Sequence, residues 1–306
     1  QLIPASSVYC VLTNEAFPDL TLKSNPITID AVGGMPEHFI TFTSNNSGNI
    51  SFSAASTYNC CLYVDWGDGL VHAADLDANI TEMASSNYVA GQTVKLYGDW
   101  FSYFDISGQA ISSVDVSQNA FLSQFNCSNN EISALNVENN PALSELYCNN
   151  NSLSALNLSQ NTRLEKLNTS NNALGSLNLL PNTALIELAC SNNQLNSLDV
   201  SANTALTKLV CAENNLDGLN LSGNTGITNL DCHSNLLGSL NISTLASLET
   251  LNCSNNQLNN IDLSNSSKYT NLNVSNNNLQ SIDISGVTYG STVDVSGNYF
   301  HLTSLP

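Results

Sequence analysis

Residues 185–201, LIELACSNNQLNSLDVS, contain the pattern that decides the fold. The stretch follows a 21-residue frame, L-x-x-L-x-C-x-x-N-x-L-x-x-L-x-V-x-x-N-x-x, which recurs from Phe101 to Thr292 without insertion or deletion. A fixed period of this length predicts a solenoid, in which stacked turns bury one continuous core. The first position of the frame is filled by Phe101, Leu122, Leu143, Leu164, Leu185, Leu206, Ile227, Leu248, Tyr269 and Gly290.

Each turn of the frame has two similar halves, L-x-x-L-x-C-x-x-N and L-x-x-L-x-V-x-x-N. Apolar and polar positions alternate around the second leucine of each half, which is typical of a short strand with one buried face. The second half is too short and too rich in Asn, Asp and Ser to form a stable helix. The sequence therefore predicts a β-rich solenoid of about ten rungs with little α-helix, and with low curvature because no helices widen one side.

The chain divides into three predicted regions. Residues 1–26 are expected to be irregular, and residues 27–93 carry short alternating apolar stretches between Gly, Asn and Ser clusters, which predict a small β-rich cap. Residues 94–306 are predicted to form the solenoid, starting with a half-rung near Val94 and ending in a short C-terminal cap. The C-terminal cap is expected to include Phe300, Leu302 and Leu305.

The composition restricts the class of partner. Six Lys and Arg stand against 25 Asp and Glu, which gives a net charge of −19. Such a chain repels phosphate backbones and anionic lipid headgroups, so we expect no nucleic acid and no anionic membrane surface among its partners. The chain begins with Gln1, and an Asn- and Ser-rich, Lys- and Arg-poor composition suits an exported protein. We therefore expect an extracellular or cell-surface location, with the leader removed.

Asparagine forms two columns along the repeat. It fills position 9 in nine successive turns, from Asn130 to Asn298, and position 19 in six turns, from Asn119 to Asn224. A turn amide both donates and accepts, so we expect these side chains to bond backbone groups of their own and the neighbouring rung. A comb of asparagines that holds a glycan or another ligand is the alternative.

Cysteine forms a third column at position 6. Thr169, Val274, Val295 and Ile106 replace it in other turns, which indicates a core position for a small apolar side chain. We expect these thiols to be buried and free, and no metal, since no C-x-x-C spacing or nearby His completes a ligand set. Outside the column, Cys10 could pair with Cys60 or Cys61 in an exported protein. The column comprises Cys127, Cys148, Cys190, Cys211, Cys232 and Cys253.

The frame as it stands in residues 185–201 resembles bacterial leucine-rich repeats of the 21-residue, cysteine-ladder type, as in internalin J-type surface proteins. The resemblance covers about two-thirds of the chain. It implies a right-handed coil and an exported surface protein that binds molecules of a host or neighbouring cell. It implies no catalysis and no cofactor.

A shorter motif lies in the predicted cap. Residues 64–69, VDWGDG, resemble the W-G-D-G turn of polycystic-kidney-disease-type β-sandwich domains. Asp65 and Asp68 could help to bind Ca²⁺, but a hard cation needs more oxygen ligands than these two, and only Asp75 and Asp77 could add to them. A strand that ends in a Gly-rich turn stabilised by Asp is the favoured interpretation.

The outward positions of the two halves differ. Position 15 in the second half is always Asn or Asp, whereas positions 3, 5 and 7 of the first half vary and place apolar Ala189, Val210 and Ala212 outside in the middle of the array. An exposed aromatic residue with flanking charges is a common interface anchor. We therefore predict a contact surface, here called the strip. It comprises Glu145, Tyr147, Asn149, Lys166, Glu187, Ala189, Lys208, Val210, Asp231 and His233.

These observations favour a non-catalytic, monomeric recognition protein that binds a protein or glycan on another cell through the first-half face. Repeat variation without any ligand is one alternative, and a passive spacer that displays another domain is a second. An enzyme is the third: Asp231 and His233 form a possible dyad on one strand, but no nucleophile motif or phosphate loop occurs. No catalytic residue, metal site or cofactor is predicted.

Overall fold

The computed structural model describes residues 7–8, 11–14, 17–23, 27–28, 38–58, 60–285, 287 and 290–300. Its elements are strands, and no helix occurs in these ranges, so none there is long and apolar enough to cross a membrane. Four strands lie in the N-terminal part, where β1 pairs with β4 and β2 with β3, both antiparallel. They are β1 (Ser7–Val8), β2 (Val11–Asn14), β3 (Phe17–Lys23) and β4 (Ile27–Thr28).

Eight strands follow before the regular part of the solenoid. They are β5 (Phe39–Ser44), β6 (Gly48–Ser56), β7 (Cys60–Asp65), β8 (Val71–Leu76), β9 (Thr81–Tyr88), β10 (Thr93–Tyr97), β11 (Phe101–Asp105) and β12 (Ile111–Asp115). One five-stranded sheet has the order β12-β5-β10-β7-β8. β10, the place of the predicted half-rung, lies between β5 and β7 and pairs antiparallel with both. The boundary near residue 94 stays a prediction.

Nine three-residue strands complete the solenoid, one for each turn of the frame after the first. They are β13 (Gln124–Asn126), β14 (Glu145–Tyr147), β15 (Lys166–Asn168), β16 (Glu187–Ala189), β17 (Lys208–Val210), β18 (Asn229–Asp231), β19 (Thr250–Asn252), β20 (Asn271–Asn273) and β21 (Thr292–Asp294). Each strand covers positions 3 to 5, and each pairs with the next in parallel at a register shift of one repeat. With β11 they form ten parallel strands, so the predicted β-rich repeat solenoid is confirmed.

The cap and the solenoid share sheets. β6 and β9 extend the parallel sheet beyond β11 in antiparallel pairing, and β12, the second half of the first turn, joins the five-stranded sheet. Phe42, Phe52 and Phe104 meet between the two sheets with ring centroids 6.0 to 6.3 Å apart. Phe104 stacks on Phe125 of the next rung at 5.8 Å. Aromatic side chains thus close the N-terminal end of the repeat core, which would otherwise expose apolar surface and an unpaired strand edge.

Both asparagine columns are structural. At position 9, Asn193 Nδ2 donates to the carbonyls of Cys190 and Thr169, while its Oδ1 accepts the N–H of Leu174 in the preceding turn. At position 19, Asn182 is fully buried and its Nδ2 donates to two carbonyls of the preceding turn. Each amide therefore ties successive rungs together. The amide at position 9 both donates and accepts, as expected from the turn chemistry, whereas the buried Oδ1 of Asn182 makes no hydrogen bond.

Position 8, which precedes the asparagine column at position 9, has a backbone conformation that the sequence frame does not reveal. Position 8 has φ between +51° and +57° at each of its non-glycine residues from Asn129 to Asn276. Asparagine tolerates this left-handed region better than most residues, which explains its frequency there. Only Glu213 and Ser234 replace it among these non-glycine residues.

The six thiols of the cysteine column are completely buried and unbridged. Burial raises the pKa of Cys148, Cys190 and Cys253 to about 12. Thr169 and Val274 take the same buried place in other turns. The column is therefore a hydrophobic one, as predicted. Cys10 and the side chains of Cys60 and Cys61 lie outside the described residues.

The Gly-rich turn after β7 is held by its aspartates. Asp65 Oδ1 accepts the N–H groups of Gly67 at 2.8 Å and Gly69 at 3.1 Å, and Asp68 Oδ1 accepts that of Leu70 at 2.9 Å. These bonds support the turn interpretation of the motif. At the C-terminal end, Phe300 packs against the core, while Leu302 and Leu305 lie outside the described residues.

Candidate interaction surface

The structure brings the strip together on strands β14 to β18. Glu145, Lys166, Glu187 and Lys208 stand side by side in register, because each occupies position 3 of successive parallel strands. Position 5 lies on the same face, two residues further along each strand. Its residues form a second column in the order Tyr147, Asn168, Ala189, Val210 and Asp231. Parallel pairing with one-repeat offsets thus converts distant sequence positions into neighbouring columns.

The position 3 column alternates in charge. Lys166 Nζ lies 3.2 Å from Glu145 Oε1, and the Lys166 side chain keeps 39% of its exposure. The hydrogen bond and charge of Glu145 raise the pKa of Lys166. A surface pair of this kind contributes little to stability, so a partner could rearrange it at little cost. Two of the chain's six basic residues lie here, and they alternate with two glutamates.

Tyr147 is fixed against the same column. Its hydroxyl donates to Glu145 Oε2 at 2.9 Å. Partial burial, followed by this hydrogen bond and the charge of Glu145, raises the pKa of Tyr147 to about 12. At neutral pH the ring is therefore an uncharged, half-exposed aromatic group with a defined orientation.

A shallow hollow of about 150 Å³ lies in the middle of the strip. It opens where Ala189 is the small residue between Asn168 and Val210 in the position 5 column. The hollow is smaller than the roughly 300–1,000 Å³ typical of small-molecule sites, so it suits one group of a larger partner. Its polar and aromatic lining comprises Tyr147, Lys166, Asn168, Glu187 and Lys208.

The position 5 column shows where the strip departs from a structural rule. In seven turns the residue is Asn or Asp, and its Oδ1 accepts the N–H of the residue two places later. Position 5 of the other three turns is occupied by Tyr147, Ala189 and Val210. Their side chains have no oxygen at the place of Oδ1 that could accept this bond. Three of the four turns from Tyr147 to Val210 thus lose a bond that the Asn168 turn between them keeps, and they present aromatic or aliphatic groups instead.

The second-half face lacks such departures. Position 15 makes the same type of bond from Asn136 to Asp283, for example from Ser201 N–H to Asp199 Oδ1 at 2.9 Å. The bonds from Ser201 lower the pKa of Asp199. The uniformity of this face is therefore explained by its local hydrogen bonds, as expected for a solvated scaffold.

His233 ends the strip among carboxylates. Its Nδ1 lies 2.6 Å from Asp231 Oδ1 and its Nε2 lies 3.6 Å from Glu213 Oε1. Asn252 Nδ2 lies 3.2 Å from Nδ1. Both ring nitrogens thus face acidic side chains, and neither faces a nucleophile. The sequence prediction missed Glu213, although its replacement of Asn at position 8 was a visible signal.

One apolar group of the predicted face is not exposed. Ala212 was expected outside at position 7, but it is only 1% exposed. The strands end at position 5, so the alternation of inward and outward side chains does not continue to position 7. Ser128, Ser254 and Ser275 are buried at the same position for this reason, whereas Asn149 is half-buried.

Within the described part of the chain, no group of three or more His, Cys, Asp or Glu side chains could hold a metal ion. The strip consists of aromatic, aliphatic and charged groups around the hollow.

Comparison with solved structures agrees with the repeat frame. The chain is similar to the functional domain of InlJ from Listeria monocytogenes, described as including a cysteine ladder, with 27% identity and a TM-score of 0.54 over 70% of this chain. It is similar in fold to a leucine-rich-repeat protein of Leptospira interrogans, LIC12759, with 21% identity and a TM-score of 0.58 over 65% of this chain. The predicted resemblance to cysteine-ladder repeats is confirmed.

A third similar fold is the repeat ectodomain of the plant membrane receptor kinase GASSHO1/SCHENGEN3 from Arabidopsis thaliana, solved in complex with CASPARIAN STRIP INTEGRITY FACTOR 2. It has 23% identity and a TM-score of 0.53 over 60% of this chain and 25% of its own. The chain covers 57% and 54% of the two bacterial structures. No protein-family model and no curated protein matches this chain.

Proposed function

Because the chain is a leucine-rich-repeat solenoid with a cysteine ladder, we propose that it is a non-catalytic recognition protein. In this proposal it is exported, acts in the extracellular space or at the cell surface, and binds a protein or glycan on another cell. The strip is its contact surface. The similar folds support an interaction module, and the plant ectodomain with its bound factor is an example of the fold in a complex.

One observation carries the assignment to the strip. The structural hydrogen bond of position 5 is missing at Tyr147, Ala189 and Val210, in three of four successive turns. A buried or half-buried backbone N–H that loses its partner costs about 1 kcal/mol, so repeat geometry alone does not favour these residues. Tyr147 and Ala189 line the hollow together with the alternating charges, and Val210 is the next residue of the same column, which supports a binding role.

An aromatic anchor, a hollow and flanking charges match the anatomy of interface hot spots. Tyr147 would contact the partner with its ring, and Lys166 and Lys208 would pair with acidic or carbonyl groups.

The test uses an array of neutral and acidic glycans together with secreted and cell-surface proteins, probed with the labelled full chain. Tyr147→Ala combined with Val210→Asp should weaken binding to any hit about tenfold or more, as expected for the loss of an interface anchor. The matched control is Asn220→Asp, which adds the same charge at position 15, where Asp occurs in other turns and can keep the bond to Ser222.

Unchanged binding by the double variant would refute the strip as the contact surface. A wild-type chain that binds nothing on the array would favour the passive spacer.

A further inference from the structure

A second concave region lies at the junction of the cap and the solenoid, away from the strip. It is a cavity of about 310 Å³ between the start of β5, the turn before β11 and the turn before β13. This volume lies at the lower end of the range for small-molecule sites, roughly 300–1,000 Å³. Its lining includes His38, Asp99, Trp100, Gln118 and Phe121.

Three aromatic side chains at this junction are exposed and in contact. Trp100 and Phe121 have ring centroids 4.3 Å apart, and Tyr58 meets the Trp100 ring edge-on at 5.5 Å. Tyr58 is 61% exposed, Trp100 41% and Phe121 51%. A contiguous exposed aromatic patch of this kind marks a recognition site more often than an isolated surface residue does.

The backbone holds Trp100 in place against its conformational preference. Its φ of +66° lies in the left-handed region, which is unfavourable for a bulky residue. The fully buried Ser56 donates its hydroxyl to the Trp100 carbonyl at 3.1 Å, and the N–H of Thr57 donates to the same oxygen at 3.0 Å. The surrounding structure thus maintains a strained residue whose ring remains partly in solvent, an arrangement that points to function.

Planar polar groups adjoin the aromatic rings. His38 Nδ1 lies 2.8 Å from Asp99 Oδ1, and the exposed Gln118 adds an amide. The apolar face of an exposed ring such as Trp100, beside carboxylate, imidazole and amide groups, complements a ligand with C–H groups on one side and hydroxyls at its edge. An anionic ligand is disfavoured by Asp99 and by the net charge of −19.

We propose that this junction pocket binds a pyranose unit of a neutral glycan. The sugar ring lies against Trp100 and Phe121, and its hydroxyls bond to Asp99, His38 and Gln118. The site shares no residue with the strip and does not rest on the function proposed for it.

The first test is a fluorescence titration of the full chain with neutral hexasaccharides of glucose, N-acetylglucosamine, mannose and galactose. The chain has two tryptophans, and Trp66 is only 7% exposed, so a saturable change reports mainly on Trp100. At least one sugar of the panel should bind. No binding by any of them, or binding of tetramethylammonium in their place, would overturn the proposal.

The second test separates binding from stability. Trp100→Gly removes the ring and places at φ +66° the residue that adopts it without strain. We expect calorimetry to show binding at least about tenfold weaker, with a thermal midpoint close to that of the wild type. Phe121→Ala should weaken binding in the same way, whereas Tyr299→Ala, which removes another exposed ring, should not.

Wild-type affinity in Trp100→Gly would refute the pocket. Equally, a large loss of stability in Trp100→Gly together with wild-type affinity in Phe121→Ala would show that the aromatic cluster only stabilises the junction.

Discussion

Replacement of a buried thiol in the cysteine column should change how stability depends on pH. Cys190 is the simplest case, because it is fully buried and burial alone raises its pKa to about 12, from an ordinary value of 9.0. Cys190→Val places there a residue that already occupies the same position as Val274. A swap of similar volume costs less than about 1.5 kcal/mol, and this cost does not depend on pH.

The magnitude follows from linkage between proton binding and folding. The folded-state pKa lies above that of the unfolded chain, so the thiol's contribution is fully present below pH 9 and is lost as the pH rises from 9 to 12. At pH 10 about nine-tenths of the unfolded thiol is ionised, whereas the folded thiol remains protonated. This difference amounts to about 1.4 kcal/mol at pH 10 and to nearly nothing at pH 7.

Urea unfolding at pH 7 and pH 10 under reducing conditions measures the effect. The wild type should lose about 1.4 kcal/mol more than Cys190→Val between the two pH values. Other titrating groups are common to both chains and cancel in this comparison. Val274→Ala, which alters the same column without removing a thiol, should lose as much as the wild type. An equal loss in wild type and Cys190→Val would refute the assignment of a buried, neutral thiol.

Three further substitutions test the turns by urea unfolding at neutral pH. Asn182→Ala should destabilise the chain by about 2 kcal/mol, because its amide donates two buried hydrogen bonds to the preceding turn, and an unchanged value would contradict a structural column. Glu213→Asn should stabilise it by about 0.5–1 kcal/mol, because Asn tolerates the φ of +54° better, and destabilisation would show that the contact with the neighbouring imidazole dominates. Gly67→Ala should cost about 3 kcal/mol, because its φ is +94° and a Cβ would meet Gln92 Cβ at 2.7 Å. The control Gly69→Ala has open space around its Cβ and should cost about 1 kcal/mol from its φ of +78° alone, so equal losses at both glycines would exclude the clash.

The repeat core could be predicted from the sequence because every turn repeats the same constraint. A leucine at position 4 is buried in each described strand from Leu146 to Leu272, and a one-residue slip would expose the whole set. Replacement of Cys by Val at position 6 was enough to identify a hydrophobic column. The same reasoning predicted the partners of the turn amides, since a strand end leaves backbone groups that a nearby Asn can reach.

The cap was less predictable because its pairing is non-local. β10 lies ten residues before a similar stretch of the first turn, so its spacing fits the solenoid frame. In the structure it pairs antiparallel with β5 and β7. β12 fits the frame but joins the five-stranded sheet of the cap. Hydrophobic spacing identifies which side of a strand is buried but does not specify its neighbour, so a short segment can satisfy the frame and still belong to another sheet.

The candidate sites differ in how far sequence could identify them, and the reason is local geometry. At position 5 the sequence showed unusual residues in the strip. It did not show that the other turns make a side-chain hydrogen bond there, so repeat variation without a ligand explained these residues as well as a binding role did. Once Asp105 and Asn126 are seen to accept that bond, the loss of it at Tyr147 becomes a cost that needs compensation. Trp100 is a stronger case. It precedes the first position of the frame at Phe101, and its place in the sequence does not indicate a site. The left-handed φ, which no sequence pattern marks for a tryptophan, is what separates it from ordinary packing.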